Sequence, residues 1–469
     1  MEAFLQPLQG LAEFEEIKKR CGANRGILNV SGCMESQKVH LMYGLSGLFP
    51  CHLILADDER NAKEIYEDYR FYDKNVYFYP AKDLLFFQAD IHGNLLIRQR
   101  MRVIRALLEQ EEVTVVTSID GCMDFLMPLE KIKSSLLHFK SDSVIDLDQL
   151  KADLVDLGYE RVGQVELPGQ FSVRGGIIDI YPLTEENPWR IELWDDEIDS
   201  IRSFDAESQR SLENIDEITI YPATEKMDCE DMVSFLDYFP EEKTLLFLDE
   251  LNHLAENGEG VEEEYRQSRM HREEKGEANL PEQWLCGFQE VQKKLNRRNC
   301  VAVSALSPRR SGWKINEEFD LTVKSVDSYN SSFELLVKDL LQYKSQGYRI
   351  ALLSGSRTRA ERLAKDLSEE GLNAFYRQDT DRIISPGEIM VVYGHARRGF
   401  QYPLIKFAVM TETDIFGKEQ KKRKKKKKYS GNRIQDFAEL SIGDLVVHEK
   451  HGLGIYRGIE KVEVDRVVK

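Results

Sequence analysis

Three groups of residues in this chain have types and spacing that could do chemistry. The first is the turn Val30-Ser31-Gly32-Cys33-Met34-Glu35-Ser36-Gln37-Lys38-Val39, between an apolar run and a helical one. A phosphate loop needs G-x-x-x-x-G-K-[ST]. Its glycines let backbone N–H groups wrap the phosphates, its lysine reaches the β and γ oxygens, and its hydroxyl holds magnesium. Here the second glycine is missing, Val39 stands where Ser or Thr is required, and Glu35 sets a negative charge against any phosphate. The turn reads as a plain α/β connection. The second group is Asp249-Glu250, at the end of the apolar run TLLFLDEL. That is the shape of a pair in which Asp supports magnesium and Glu orients water. Without a working phosphate loop it has no nucleotide to serve, and it reads as a relic or as neutral, solvated acids. The third is His448 and His451, at i, i+3 in a glycine-rich segment with no cysteine nearby. Packing or turn hydrogen bonding suits them better than a metal. No Ser-His-Asp or Cys-His arrangement follows from spacing, so no catalytic, cofactor or metal residue is assigned.

Recognition is better supported than catalysis. In Trp189-Arg190-Ile191-Glu192-Leu193-Trp194 the side chains of a strand alternate faces. Trp189, Ile191 and Leu193 then point to a core, and Arg190, Glu192 and Trp194 point outward. An exposed Trp two pleats from an exposed Arg suits a protein-binding surface, because Trp and Arg dominate interface hot spots. Arg174, in FSVRGGIIDIYP, has two readings: a structural arginine pairing an acid such as Asp179 or Glu192, or a member of the exposed cluster with Arg190 and Trp194. The adjacent Gly175-Gly176 suggests a bulge or a close backbone approach. The run KKRKKKKK, residues 421–428, could clamp DNA or RNA by releasing counterions. With only Tyr429 trailing it, the run offers little base stacking and reads as a solvated spacer.

The elements that must position these residues follow from composition and pattern. At 469 residues the chain exceeds one core, and three or four domains are expected. A hydrophobic content of 42% suits a globular protein, and a net charge of −18 argues against a broad basic surface for nucleic acid. Seven cysteines without a C-x-x-C pair fit reduced thiols in a cytoplasmic protein, with no disulfide framework or zinc site. No run approaches the ~20 apolar residues that span a bilayer. GILNV, CHLILA, NVYFYP and VTVVTS read as strands alternating with helices such as ERNAKEIYEDYRFY, which implies a parallel sheet. From about Pro128 to Thr224 one helix-like piece precedes a β-rich meander. From Glu225 to Asn330 charged helical sequence surrounds two strand-like runs, TLLFLDE and CVAVSAL, and residues 257–277 read as an exposed helix or a loop. From Ser331 to Gly417 α/β alternation returns, with YRIALLSG, EIMVVYG and IKFAVMTETDIFG as strands. Short strands and glycine turns after the lysine run resemble part of a small β-barrel. It would need more strands than Lys469 allows, so the sequence reads as truncated.

At GQFSVRGGIIDIYPL and PWRIELWDDEIDSIRSFDAESQRS the chain resembles the bacterial transcription-repair coupling factors (Mfd). A looser form of the pattern occurs in the excision-repair protein UvrB. GDLVVHEKHGLGIYRGIEKVEVD is similar to the start of that family's RNA-polymerase-interaction domain, and GFQYPLIKFAVMTETDIFG to the end of its third domain. Order and spacing fit along the chain. The resemblance implies a multidomain α/β architecture: a degenerate P-loop-type α/β domain with an inserted small α+β, antiparallel domain, a second α/β domain, and the start of a CarD-like β-barrel. In those terms 1–127 is domain 1a, 128–224 the UvrA-binding domain 2, and 225–330 domain 1b. Domain 3 is 331–417, a basic linker 418–438, and the polymerase-interaction domain begins at 439–469. The family's UvrA contact falls on Arg174, Arg190 and Trp194, with Trp where some members have Phe. Its contact with the RNA polymerase β subunit falls on Val462.

The resemblance further implies a monomeric adaptor for transcription-coupled nucleotide-excision repair that is not itself an enzyme. ATP, magnesium and the DNA-translocating motor would belong to the parent protein outside these residues. The alternatives are a UvrB-like damage-recognition ATPase acting on DNA, and a scaffold that only restrains the motor.

Overall fold

Short runs dense in β-branched and aliphatic residues and free of charges suit burial on both faces, as in the parallel sheet of an α/β layer, even where an Asn, Ser or Thr stands among them. Gly26–Ser31 and Val113–Ser118 are such strands, buried at every position. The computed structural model describes residues 1–22, 25–82, 94–225, 231–275, 285–308 and 312–417, together with four short strands between Leu445 and Val468. Its first sheet has seven strands, in the order Ile315–Asp320, Gly26–Ser31, Asn299–Val303, Thr244–Asp249, Cys51–Ala56, Val113–Ser118 and Val76–Tyr79. All pairings are parallel. Segments far apart in sequence thus interleave in one sheet, since Asn299–Val303 and Thr244–Asp249 lie between Gly26–Ser31 and Cys51–Ala56. The edge strand Ile315–Asp320 was not expected. Its sequence, INEEFD, is half acidic and buries nothing fully. Leu251–Lys275 is one helix, as the exposed-helix reading of 257–277 required.

An insertion between the strands of this sheet carries the second unit. Its six-stranded sheet runs Ser211–Asn214, Glu197–Phe204, Trp189–Trp194, Ile177–Ile180, Gln170–Arg174 and Glu160–Arg161. Helix Leu147–Asp156 starts at Asp146, whose carboxylate accepts from the N–H groups of Asp148 and Gln149. That helix and the strands Leu137–Lys140 and Glu217–Ile220 cover one face of the sheet, through Leu150, Leu154, Phe139 and Ile220 against Phe171, Ile178, Ile191 and Ile201. The opposite face is exposed at Trp194, while Ser172 and Asp179 on it are covered. The insertion is held at its root. Buried Arg100 pairs with Asp124 at 2.7 Å and with Glu225, and lies 4.1 Å from the Tyr79 ring. Burial works to raise the Glu225 pKa, but Arg100 and Lys82 outweigh it and bring it down to about 2.

The third unit is a six-stranded sheet in the order Lys324–Ser325, Phe400–Tyr402, Phe407–Thr411, Arg349–Ser354, Glu388–Tyr393 and Asn373–Arg377. Phe407–Thr411 is shorter than IKFAVMTETDIFG suggests. Thr411 and Asp414 form a capping box that turns Glu412–Phe416 into a helix. Helices Phe333–Ser345 and Arg357–Glu369 cover one face of this sheet, through Leu336, Leu340, Ala360 and Leu367 on Ile350, Leu352 and Val391. The other face, with Ala351, Leu353, Met390, Val392, Phe407 and Val409, shares one core with helices Glu35–Ser46 and Glu59–Tyr72 of the first unit. Those two helices therefore serve two sheets. The expected α/β multidomain class is what is observed. Leu445–His448 with Gly452–Ile455, and Glu463–Val464 with Val467–Val468, form two antiparallel pairs toward the end of the chain. No helix among the described residues is long and apolar enough to cross a membrane.

Candidate functional site

The solvent face of the inserted sheet is built row by row from its register. Ser172, Asp179, Arg190, Arg202 and Asn214 lie opposite one another across five strands. The next row is Arg174, Ile177, Glu192 and Ser200, and a third begins with Trp194 opposite Glu197. The alternation expected of Trp189–Trp194 holds. Trp189 and Ile191 are buried, Leu193 packs against the same core, and Trp194 is 81% exposed. The ladder bulges between Glu192 and Leu193, where Asp199 is the extra residue on the partner strand, so the parity of Trp194 is kept.

Arg174 takes the structural pairing with Asp179, and shares that acid with Arg190. This carboxylate has no exposed surface. Its Oδ1 accepts from Arg190 Nε at 2.7 Å, and its Oδ2 from Arg190 Nη2 at 2.9 Å and Arg174 Nη2 at 2.6 Å. Arg174 keeps 47% of its side chain exposed and Arg190 only 15%. Arg190 is thus more covered than alternation alone implies. The Phe204 ring lies 4.4 Å from its guanidinium, and Gln209 Oε1 accepts from Nη2 at 3.1 Å. The fork to Asp179, with burial opposing it, raises the Arg190 pKa above its ordinary value. Glu192 pairs with Arg202 and accepts from Ser200 Oγ at 3.3 Å. Arg202, Phe204 and Gln209 are not legible in the sequence, because the strand register brings the first two to Arg190 and the turn after Phe204 brings Gln209. Gly175 and Gly176 form a two-residue hairpin turn, with Gly175 at φ +61° and Leu193 donating its N–H to Gly176 at 2.8 Å.

The degenerate phosphate turn is neutralised from within. Lys38 Nζ donates to Asp249 Oδ1 at 2.7 Å and to Glu250 Oε1 at 2.6 Å. Asp249 is buried and takes a further bond from Asn61 Nδ2 at 2.7 Å, so it is not the solvated acid expected from its place at a strand end. Burial opposes the Lys38 charge, but the two carboxylates prevail and raise its pKa. Helix Glu35–Ser46 begins under residues of the third unit: Arg398 donates its N–H to Ser36 Oγ at 3.1 Å, and its guanidinium lies 3.7 Å from Glu35. A phosphate would have to displace two carboxylates and face a third, so these residues do not fit a nucleotide. Among the described residues no cluster of His, Cys, Asp and Glu could hold a metal. Val462, His451 and the lysine run 421–428 lie outside the described residues, as does the side chain of His448.

An exposed Trp and paired arginines thus stand on one sheet inserted into an α/β body. Residues 137–225 match the UvrB interaction domain, and residues 440–469 the CarD-like/TRCF RID domain. The chain is similar to the transcription-repair-coupling factor of Bacillus subtilis (strain 168), 29% identical over 514 residues, covering 94% of this chain and 44% of that protein. It is also similar to those of Staphylococcus aureus (strain MRSA252) and Staphylococcus epidermidis (strain ATCC 12228 / FDA PCI 1200), each 27% identical and covering 84% of this chain and 38% of the relative. The chain therefore spans less than half the length of these relatives, and its resemblance is to the N-terminal portion of a transcription-repair-coupling factor.

Proposed function

We propose that the chain acts as an adaptor in transcription-coupled nucleotide-excision repair. The inserted sheet recruits UvrA through Arg174, Arg190 and Trp194. The CarD-like segment, with Val462, contacts the RNA polymerase β subunit. ATP hydrolysis, magnesium and DNA translocation belong to a motor outside these residues, and the adaptor works as a cytoplasmic monomer. The observation that carries the reading is Trp194, 81% exposed beside two arginines anchored on one buried carboxylate. Interface hot spots favour such rigid aromatic and arginine anchors. The occupation of Lys38 by Asp249 and Glu250 supports a body without nucleotide turnover.

Titration calorimetry of the chain with purified UvrA tests this. Arg190→Ala and Trp194→Ala are each expected to weaken binding by about 2 kcal/mol, roughly 30-fold. Unchanged affinity in both variants removes the assignment. The same preparation should hydrolyse no ATP with or without DNA, and saturable DNA-stimulated turnover would argue for a UvrB-like ATPase.

A further inference from the structure

We infer that the recognition face is electrically two-ended and extends to Val144, so that it fits a protein surface with an apolar pocket for an indole, basic groups on one side of that pocket and a carboxylate on the other. This rests on the proposed function, and it specifies the chemistry that the partner must present at that same face.

The register supplies the geometry. Glu197 lies opposite Trp194 on one side and forms a β-bridge with Val144 on the other, so Trp194, Glu197 and Val144 make one row on the solvent face. Ile145 N donates to Asp196 O at 2.7 Å and Ile198 N to Ser143 O at 2.9 Å, which fixes the 143–145 segment against the hairpin. Its side chains alternate as the bridge requires: Ile145 enters the core, and Val144 is 70% exposed. Two large apolar side chains, 81% and 70% exposed, therefore flank one acid in a single row.

Charge then divides the face. Arg174, Arg190 and Arg202 stand in the two rows behind Trp194, against Asp179 and Glu192, so the five charged side chains of these rows sum to one net positive charge. The hairpin tip ahead of Trp194 carries Asp195, Asp196 and Glu197, with Asp199 just beyond. All four are exposed, and none has a basic partner among the described residues. Acids left without partners around an exposed indole repel one another in the free protein, and a basic rim on the partner relieves that repulsion. Such an arrangement fixes the docking direction and speeds encounter. Trp194 and Val144 hold the complex once it is formed.

The test is stopped-flow or surface-capture kinetics of the full 469-residue chain with UvrA at low and high salt. The double variant Asp196→Lys/Glu197→Lys should slow association about 10-fold at low salt and flatten its salt dependence, with melting unchanged because both side chains are exposed. The milder Asp196→Asn/Glu197→Gln should give a smaller effect of the same sign. Val144→Ser, which adds no charge, should leave association nearly unchanged and speed dissociation about 10-fold. If the parent chain binds and Arg190→Ala and Trp194→Ala weaken it, while the tip and Val144 variants bind like the parent, this inference fails and the proposed function stands. Faster association after charge reversal also overturns it. A parent chain that does not bind UvrA at any salt overturns both.

Discussion

A carboxylate with no exposed surface is costly unless its oxygens are used, and Asp179 spends both on Arg174 and Arg190. It is the residue through which two long, flexible side chains become a fixed pair. Asp179→Asn keeps the shape but removes the charge and turns an amide donor toward guanidinium donors. It is expected to destabilise the inserted sheet by about 2 kcal/mol in urea unfolding, below the full cost of breaking a buried pair because Arg174 is half exposed. UvrA affinity should fall at least as far as in Arg190→Ala, since both arginines lose their anchor. Arg190→Lys separates charge from geometry. A lysine cannot make the two-pronged bond to Asp179 or lie flat against Phe204, so affinity should drop about 10-fold in calorimetry although the charge is kept. Glu192 has a local role, holding Arg202 in place.

At the scale of elements, helix Glu35–Ser46 and strand Thr244–Asp249 are joined by an ion pair where a nucleotide-binding protein would hold phosphate. Lys38→Met leaves Asp249 buried without its cation and should cost about 3 kcal/mol in denaturant unfolding. Because the folded Lys38 pKa is raised, its contribution is full below the unfolded value of about 10.4 and is lost as pH climbs above that through the folded pKa. An alkaline loss of stability present in the parent and absent in Lys38→Met is the measurement. What the sequence made legible here depended on range. The runs GILNV, CHLILA and VTVVTS declare buried strands because they are short, dense in aliphatic and β-branched residues and free of charged ones, and the facing of Trp194 follows from a period of two that a bulge on the neighbouring strand does not disturb. Lys38 and Asp249 are 211 residues apart, so their pairing exists only through the parallel register of the sheet. INEEFD hid as a strand because an edge position tolerates acids on its open side. TETDIF reads as strand in the sequence because the T-x-x-D cap at Thr411 directly follows an apolar stretch.

At the scale of the whole molecule, the third unit lacks helices of its own on one face and takes them from the first. The seam joins an apolar core to ion pairs of Arg397 with buried Asp68, at 3.0 Å, and with Glu64, and within the core lies His40, with no exposed surface. Gln37 Nε2 donates to the Tyr402 hydroxyl at 3.0 Å, and His40 Nε2 is 3.0 Å from the Phe4 carbonyl. That carbonyl can only accept, so Nε2 carries the proton and Nδ1 accepts from the Tyr402 O–H at 3.1 Å. A proton on Nδ1 would make it a donor too, so the Tyr402 hydroxyl, already accepting from Gln37, would have to turn its hydrogen away into the apolar core. Burial drives the His40 pKa from 6.5 down to about 4, with the bond to Phe4 working weakly the other way. A depressed folded pKa contributes stability that is fully present above the unfolded value of 6.5 and is lost as pH falls from there to about 4. The shift is worth on the order of 3 kcal/mol at the acid end. Acidification should therefore loosen the seam between residues 1–72 and 324–417 before it reaches the root of the inserted sheet, where Glu225 stays ionised down to about pH 2. Hydrogen exchange at pH 7 and pH 4.5 is the check: protection should fall first in Phe400–Tyr402 and Phe407–Thr411, and later in Trp189–Trp194. His40→Gln, which can still donate to Phe4 but does not titrate, should flatten that acid response. Simultaneous loss of protection in both sheets would show that the seam is not the weaker boundary.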